Sequence, residues 1–371
     1  MKIQIGKEQL VKALSAIQSV VERKGPPILS HVLLQAEEGH LKLFATDFDL
    51  SMQILLEANV INGGRTTAPA RSFLEVAKEF PGQTLELTSD ESGRLNVSTE
   101  KAFFQLPSLD PSDFPVDQLE NEVVYSTCNA QLLKKAISKT LYAIPLTGSS
   151  FSIPGLYISC DSSGMCKFIS CDAFRLAKYE APQSEIGLDF ALEEIIIPRK
   201  GVQEIIRVAE DAVENKISLG IHENVFYVKN EKTTVSMRLM EASFPAFDSV
   251  LPPRRPFGVE IPVDLFLQVL KRMAIFTNQT WRHVNLYIAQ GVLEISAGNS
   301  EIGMGREEIP IPYNENITFS ATFNLKYLSD AVNVVSGSFF RFEWSSEMEG
   351  GFITDPEDPG YLAFFMPMVA E

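Results

Sequence analysis

The sequence predicts an α+β protein built from three copies of one module, each with two helices and antiparallel sheet. Three repeated features carry that prediction. Amphipathic segments begin at Lys7, Asn129 and Val263, 122 and 134 residues apart. A second series sets the matched apolar residues Phe73, Val202 and Tyr327 at intervals of 129 and 125 residues. A turn-like tract, Ala45-Thr46-Asp47-Phe48, returns as Ser170-Cys171-Asp172-Ala173 with its aspartates 125 residues apart, and Ala297-Gly298-Asn299 stands in the third position. Agreement among unrelated features at one long period is the mark of an internal repeat.

The first helix of each module spans 7–21, 129–142 and 263–276. Leu10, Leu14, Ile17 and Val21 mark the first of these stripes, Leu133, Ile137 and Leu141 the second, and Phe266, Leu270 and Met273 the third. Apolar residues three and four apart form one face of a helix. The second helices span 70–80, 199–208 and 324–334. Between them lie short runs rich in branched and aromatic residues, such as Leu41-Lys42-Leu43-Phe44, Val225-Phe226-Tyr227-Val228 and Val292-Leu293-Glu294-Ile295, which read as strands. Proline-rich stretches, Asp110-Pro111-Ser112-Asp113-Phe114-Pro115 and Leu251-Pro252-Pro253-Arg254-Arg255-Pro256, mark linkers. They divide the chain into domains at 1–121, 122–251 and 252–371.

A chain of 371 residues exceeds what one core organises. It has no apolar run long enough for a membrane helix and no signal-peptide core at its start, which predicts a soluble, cytoplasmic protein. The four cysteines, Cys128, Cys160, Cys166 and Cys171, form no CxxC pair, and the four histidines are scattered. The expectation is reduced structural thiols, no metal and no cofactor. Phosphate-loop, dinucleotide, nucleophile-elbow and zinc-helix motifs are all missing, so no enzyme is predicted. Asp47 or Asp172 is the carboxylate an enzyme reading would use, and Asp47-Phe48-Asp49 the carboxylate pair a metal reading would use.

The net charge of −16 argues against a protein that grips nucleic acid. The six helical windows, however, sum to +7, leaving −23 on the rest of the chain. Lys134, Lys135 and Lys139 stand off their apolar stripe, and Arg199 and Lys200 open another helix. Lysine on helix faces is ordinary solvation, but its segregation from an acidic remainder suggests a local basic lining. The C-terminal run Phe364-Phe365-Met366-Pro367-Met368 is apolar where chain ends are usually polar. It reads as a closing strand whose side chains could line a groove, since methionine suits adaptable binding surfaces.

Read together, several motifs resemble the bacterial DNA polymerase III β subunits, the sliding clamps, essentially end to end. They are Cys171-Asp172-Ala173-Phe174-Arg175-Leu176-Ala177, Ile197-Pro198-Arg199-Lys200-Gly201, Phe244-Pro245 through Val250-Leu251-Pro252, Lys271-Arg272-Met273-Ala274-Ile275, Phe323-Asn324-Leu325-Lys326-Tyr327-Leu328 and Met366-Pro367-Met368. The resemblance implies three domains of the DNA-clamp fold and a head-to-tail homodimeric ring around duplex DNA. It implies a non-catalytic processivity factor that tethers the replicative polymerase, the clamp loader and repair proteins through their clamp-binding peptides. A static DNA-binding protein is the alternative.

Carried over by motif, the peptide pocket is Ile153, Arg175, Leu176, Pro245, Val250, Phe364, Met366, Pro367 and Met368. DNA contacts fall on Arg23, Arg71, Arg199, Lys200 and Arg282. The subunit interface pairs Phe104 and Leu106 with Ile275 and Phe276 of the second chain. Such a head-to-tail contact closes a ring when its rotation closes. The sequence departs from the family where Thr-Asp-Gly-His-Arg is usual, having Cys171, Ala173 and Phe174, and Ser249 replaces an arginine before Val250.

Overall fold

The structure is a computed structural model that describes residues 1–22, 24–90, 93–99, 101–116, 122–149, 152–187, 194–247, 251, 255–277, 282–346 and 349–368. Arg23 and Val250, both expected at functional surfaces, lie outside the described residues. The helices among them are α1 (Lys7–Ile17), α2 (Ala70–Glu79), α3 (Ala130–Thr140), α4 (Gln183–Ile186), α5 (Arg199–Glu210), α6 (Val263–Met273) and α7 (Leu325–Val332). Six correspond to the expected windows. The ends of the expected windows after α3 and α6 tighten into 3-10 turns at Leu141–Ala143 and Ala274–Phe276. The short α4, stopped by Gly187 in the left-handed region, has too few residues for a periodic signal.

Two compact units emerge: Met1–Ala130 with Gln203–Leu239, and Gln131–Val202 with Met240–Glu371. The first holds a five-stranded sheet in the order Asn59–Asn62, Lys2–Gly6, Thr84–Ser89, Leu95–Ser98 and Phe103–Leu106. Its eight-stranded sheet runs Tyr125–Asn129, Lys216–His222, Val225–Lys229, Thr233–Arg238, Leu50–Glu57, His40–Thr46, His31–Glu37 and Gly64–Pro69. Thr233–Arg238 pairs with Leu50–Glu57, so one sheet takes strands from both sides of the expected 121/122 boundary. Leu10, Leu14 and Ile17 of α1 and Phe73 and Ala77 of α2 are buried, as the helical spacing requires.

The second unit repeats the plan. Its eight-stranded sheet runs Ile195–Pro198, Gly155–Cys160, Met165–Cys171, Arg175–Pro182, Asp358–Phe365, Gly351–Asp355, Phe339–Trp344 and Phe257–Pro262. Its four-stranded sheet runs Gly303–Pro310, Val292–Asn299, His283–Ala289 and Phe319–Asn324. Phe266, Phe319, Phe323, Phe340, Phe342 and Trp344 fill its core as an aromatic cluster. The ladders are antiparallel, which suits sheets that bury one face under helices and leave the other wet.

The thiol expectation needs correcting. Cys160 and Cys166 face each other in register on neighbouring strands, and their sulfurs are bonded. The six-residue separation gives no hint of this until the Asp161–Gly164 turn folds the strands back. Cys128 and Cys171 are free; burial raises their thiols to about 12 and about 11 respectively, with Asp172 adding to the second. Neither is a reactive thiolate.

Candidate partner and nucleic-acid surfaces

The three turn-like tracts have one physical job. Asp172 Oδ1 accepts from the backbone N–H groups of Phe174 and Arg175, both at 3.2 Å, while Ala173 takes φ +72°. Asp47 Oδ1 accepts from Asp49 at 3.1 Å and Leu50 at 2.7 Å, while Phe48 takes φ +77°. Asn299 Oδ1 accepts from Glu301 N at 2.8 Å. Short side chains that accept from the backbone two residues on stabilise such turns. The repeated aspartates are therefore turn formers.

The Asp172 turn fixes the start of the strand Arg175–Pro182. Arg175 Nε donates to Asp172 at 2.8 Å, Nη1 to Asp330 at 2.8 Å and Nη2 to the Tyr142 carbonyl at 2.7 Å. Its guanidinium lies 4.2 Å from the centre of the Tyr327 ring. Burial opposes its charge, but Asp330 and Asp172 outweigh burial and raise its pKa further. Arg175 thus organises the site, with three of its five donors engaged in these contacts.

Leu176 and Phe364, paired across the ladder, join Tyr157, Ile169, Ile196 and Phe352 in a buried apolar cluster. Ile153, Cys171, Met240, Phe244, Phe247 and Leu251 pack against it. Beside them a cleft of about 540 Å³ is lined by Tyr157, Phe244, Pro245 and Phe247. The chain end runs along this region: Met366 N donates to the Phe174 carbonyl at 2.9 Å, and Met368 N to the Thr322 carbonyl at 2.7 Å. The regular strand ends at Phe365, and Met366 and Phe174 are exposed. Pro367 and Met368 are half-buried. Strand register brings Tyr157, Ile196 and Phe352 to the cluster, and no local motif marks them.

The basic residues divide into two groups. Arg71 is exposed on α2 and pairs with Glu75 at 3.0 Å, Arg282 is exposed, and Lys200 is half-buried on α5. Arg199 and Lys139 turn inward. Arg199 donates to the carbonyls of Leu141 and Ile144, capping the 3-10 turn after α3. Burial, and then the charge of Arg175, lower its pKa. Lys139, expected off the apolar stripe, is only 4% exposed. Its ammonium meets Asp355 at 2.8 Å, Asp358 at 3.1 Å and Ser336 Oγ at 2.9 Å, and lies 5.0 Å from the centre of the Tyr361 ring. Its acidic partners come from the far end of the sequence, so the helix pattern alone could not reveal them.

Two edge strands carry exposed apolar residues. On Phe103–Leu106, Phe103 is 65% exposed and Phe104 is partly so, its ring 5.5 Å from Phe80. Leu106 is 7% exposed and belongs to the core of its own sheet; Phe103, missed by the sequence reading, is the outward residue. On Gly303–Pro310, Met304 is exposed, and on the 3-10 turn Ala274–Phe276 so is Ile275. Phe276 lies against Gly305, where a Cβ would come within 2.6 Å of its ring. Arg272 clamps Glu307 with two contacts of 2.6 and 2.7 Å.

The comparisons with known proteins agree along the whole chain. The family described as DNA polymerase III beta subunit, N-terminal domain, matches residues 1–119; the central domain matches 127–246 and the C-terminal domain 248–369. The beta sliding clamp of Caulobacter vibrioides is 30% identical over 381 residues, covering 99% of this chain and all of that one. That of Escherichia coli is 27% identical over 373 residues, with 99% and 100% covered. The crystal structure of the Caulobacter crescentus beta sliding clamp matches all of both chains with a TM-score of 0.91 at 28% identity. The Bacillus subtilis sliding clamp gives 0.91 at 23%, a likeness of fold.

Proposed function

From the premise that this chain belongs to the DNA polymerase III beta subunit family, we propose how its ring closes and where DNA and partners bind. The protein is a processivity factor of DNA replication and a non-catalytic subunit. The modules at 1–121, 122–251 and 252–371 are read as its repeating units.

One observation carries the ring. Within the chain, Thr233–Arg238 pairs with Leu50–Glu57, and Asp358–Phe365 pairs with Arg175–Pro182. By the repeat, the third such pair is Phe103–Leu106 with Gly303–Pro310, yet both are edge strands here. An open edge invites another strand. A second copy, related head to tail, supplies each missing partner. Transposing the Met237–Leu50 and Val235–Met52 register sets Leu106 opposite Gly303 and Phe104 opposite Gly305, beside Phe276. Phe104, Ile275 and Phe276 then line the contact, with Phe103 and Met304 outward of it.

Arg71, Lys200 and Arg282, with Arg23, face the duplex in this reading, and Arg199 acts mainly through the α3 turn. Ile153, Arg175, Leu176, Pro245, Phe364, Met366, Pro367 and Met368, with Val250, bind the clamp-binding peptides of the replicative polymerase, the clamp loader and repair proteins. The decisive test is topological. Protein loaded on a nicked circle is expected to stay bound and to leave once the circle is linearised; equal retention on both forms would favour a static DNA binder instead.

A further inference from the structure

The seam formed by Leu50–Glu57 and Thr233–Arg238 repeats the strand pairing of the peptide-pocket seam. Arg238 N donates to the Asp49 carbonyl at 2.8 Å, as Met366 N donates to the Phe174 carbonyl at 2.9 Å. Leu50 pairs with Met237 as Arg175 pairs with Phe365. Phe48 takes the left-handed conformation of Ala173, and Phe114-Pro115 stands where Phe244-Pro245 stands. A groove of about 230 Å³ opens there, lined by Phe48, Asp49, Pro115, Val116, Met237 and Arg238 among others. Its chemistry differs from the pocket's. Phe48 is 60% exposed, and Arg238 replaces the exposed methionine.

We propose that this groove is a second docking site, which takes a short linear peptide pairing an aromatic or branched apolar anchor with acidic residues. The anchor would rest on Phe48, Pro115 and Val116. The acid would meet Arg238, whose side chain is 62% exposed and whose Nε lies 3.9 Å from Asp49 Oδ1, beyond hydrogen-bond range. Asp49 is itself exposed. A guanidinium has five donors, and a carboxylate satisfies two at once. The inference borrows from the pocket reading the idea that such a seam holds a peptide, but it concerns different residues.

The test uses the full-length protein with 13C-labelled methionine methyls and a capped peptide, Ac-Gly-Ser-Asp-Phe-Asp-Ser-Gly amide. Met237 and Met52 report on this seam; Met366 and Met368 report on the pocket. Saturable shifts at Met237 or Met52 are expected. Arg238→Glu should weaken them about tenfold or more, as should lysine in place of the peptide's aspartates. Because Arg238 is exposed, the remaining methionine signals should stay put and certify the fold. No saturable shift at Met237 or Met52, or a shift indifferent to Arg238→Glu, overturns the inference. Shifts confined to Met366 and Met368 overturn it while leaving the pocket reading intact. Shifts at Met237 or Met52 that Arg238→Glu weakens uphold it whatever the pocket does.

Discussion

Lys139 and Asp355, 216 residues apart in sequence, meet at 2.8 Å with both side chains almost wholly buried. Asp355 also accepts from Ser336 N at 2.7 Å and Glu357 N at 3.1 Å, and Lys135 reaches Asp358 at 2.9 Å. Removing one partner of such a group strands the other charge, at a cost of about 3–5 kcal/mol. Lys139→Met is therefore expected to lower the urea midpoint of the unit that contains it. Lys139→Met combined with Asp355→Asn and Asp358→Asn should recover much of that loss. A single variant as stable as the parent would remove the cluster from the account of this seam.

The same cluster sets a pH dependence. Burial opposes the charge of Asp355, but the Lys139 ammonium and the two backbone donors outweigh it and hold the carboxyl below its ordinary value. A carboxyl lowered in the folded state contributes stability above its unfolded pKa, near 4, and loses it as pH falls through the folded value. Stability should therefore decline on acidification below about pH 4, with a shallower slope in Asp355→Asn. Equal slopes in a urea-by-pH series would refute this contribution.

Phe104→Glu should yield monomers in sedimentation velocity, because the proposed contact would bury an unpaired carboxylate. Gly305→Ala tests the register more finely. The new Cβ would collide with the Phe276 ring, so dimer dissociation should increase while each chain stays folded. Dimers that survive both changes would rule out this edge pairing.

Deleting residues 366–371 removes the Met366 and Met368 contacts with Phe174 and Thr322. Clamp-binding peptides should then lose measurable affinity in fluorescence anisotropy while the sedimentation coefficient remains that of the dimer. A monomer after truncation would instead make the chain end part of the subunit contact.

Thiol counting checks the correction made by the fold. In denaturant without reductant, two of the four cysteines should react, because Cys160 and Cys166 are bonded. Reduction should cost about 2 kcal/mol or less, since the closed loop is short. Four reactive thiols in protein purified without reductant would show that the pair is not bonded in solution.

The sequence made the repeats legible because each rests on local rules. Apolar spacing identified α1, α2, α3, α5, α6 and α7, and the Asp47 and Asp172 tracts proved to be turns with matching hydrogen bonds. Long-range partners were invisible. Lys139 looks like a solvated lysine until Asp355 and Asp358 arrive from more than 200 residues away. Leu106 and Phe103 occupy one strand, and only its register decides which faces the core. Family resemblance supplied most of the proposed peptide pocket, but strand pairing was needed to place Tyr157, Ile196 and Phe352 in the apolar cluster beside it.

The inward turn of Arg199 and Lys139 bears on friction. Each phosphate neutralised by a protein cation releases about 0.9 counterion from duplex DNA, and that release gives non-specific binding its strength. Two cations counted on the helices spend their charge on carbonyls and carboxylates of their own unit. The proposed ring, lined by fewer available cations, would fall into shallower electrostatic wells at each step along the duplex. Enclosure would then supply the residence time, and weak lateral contact would leave diffusion along the DNA fast.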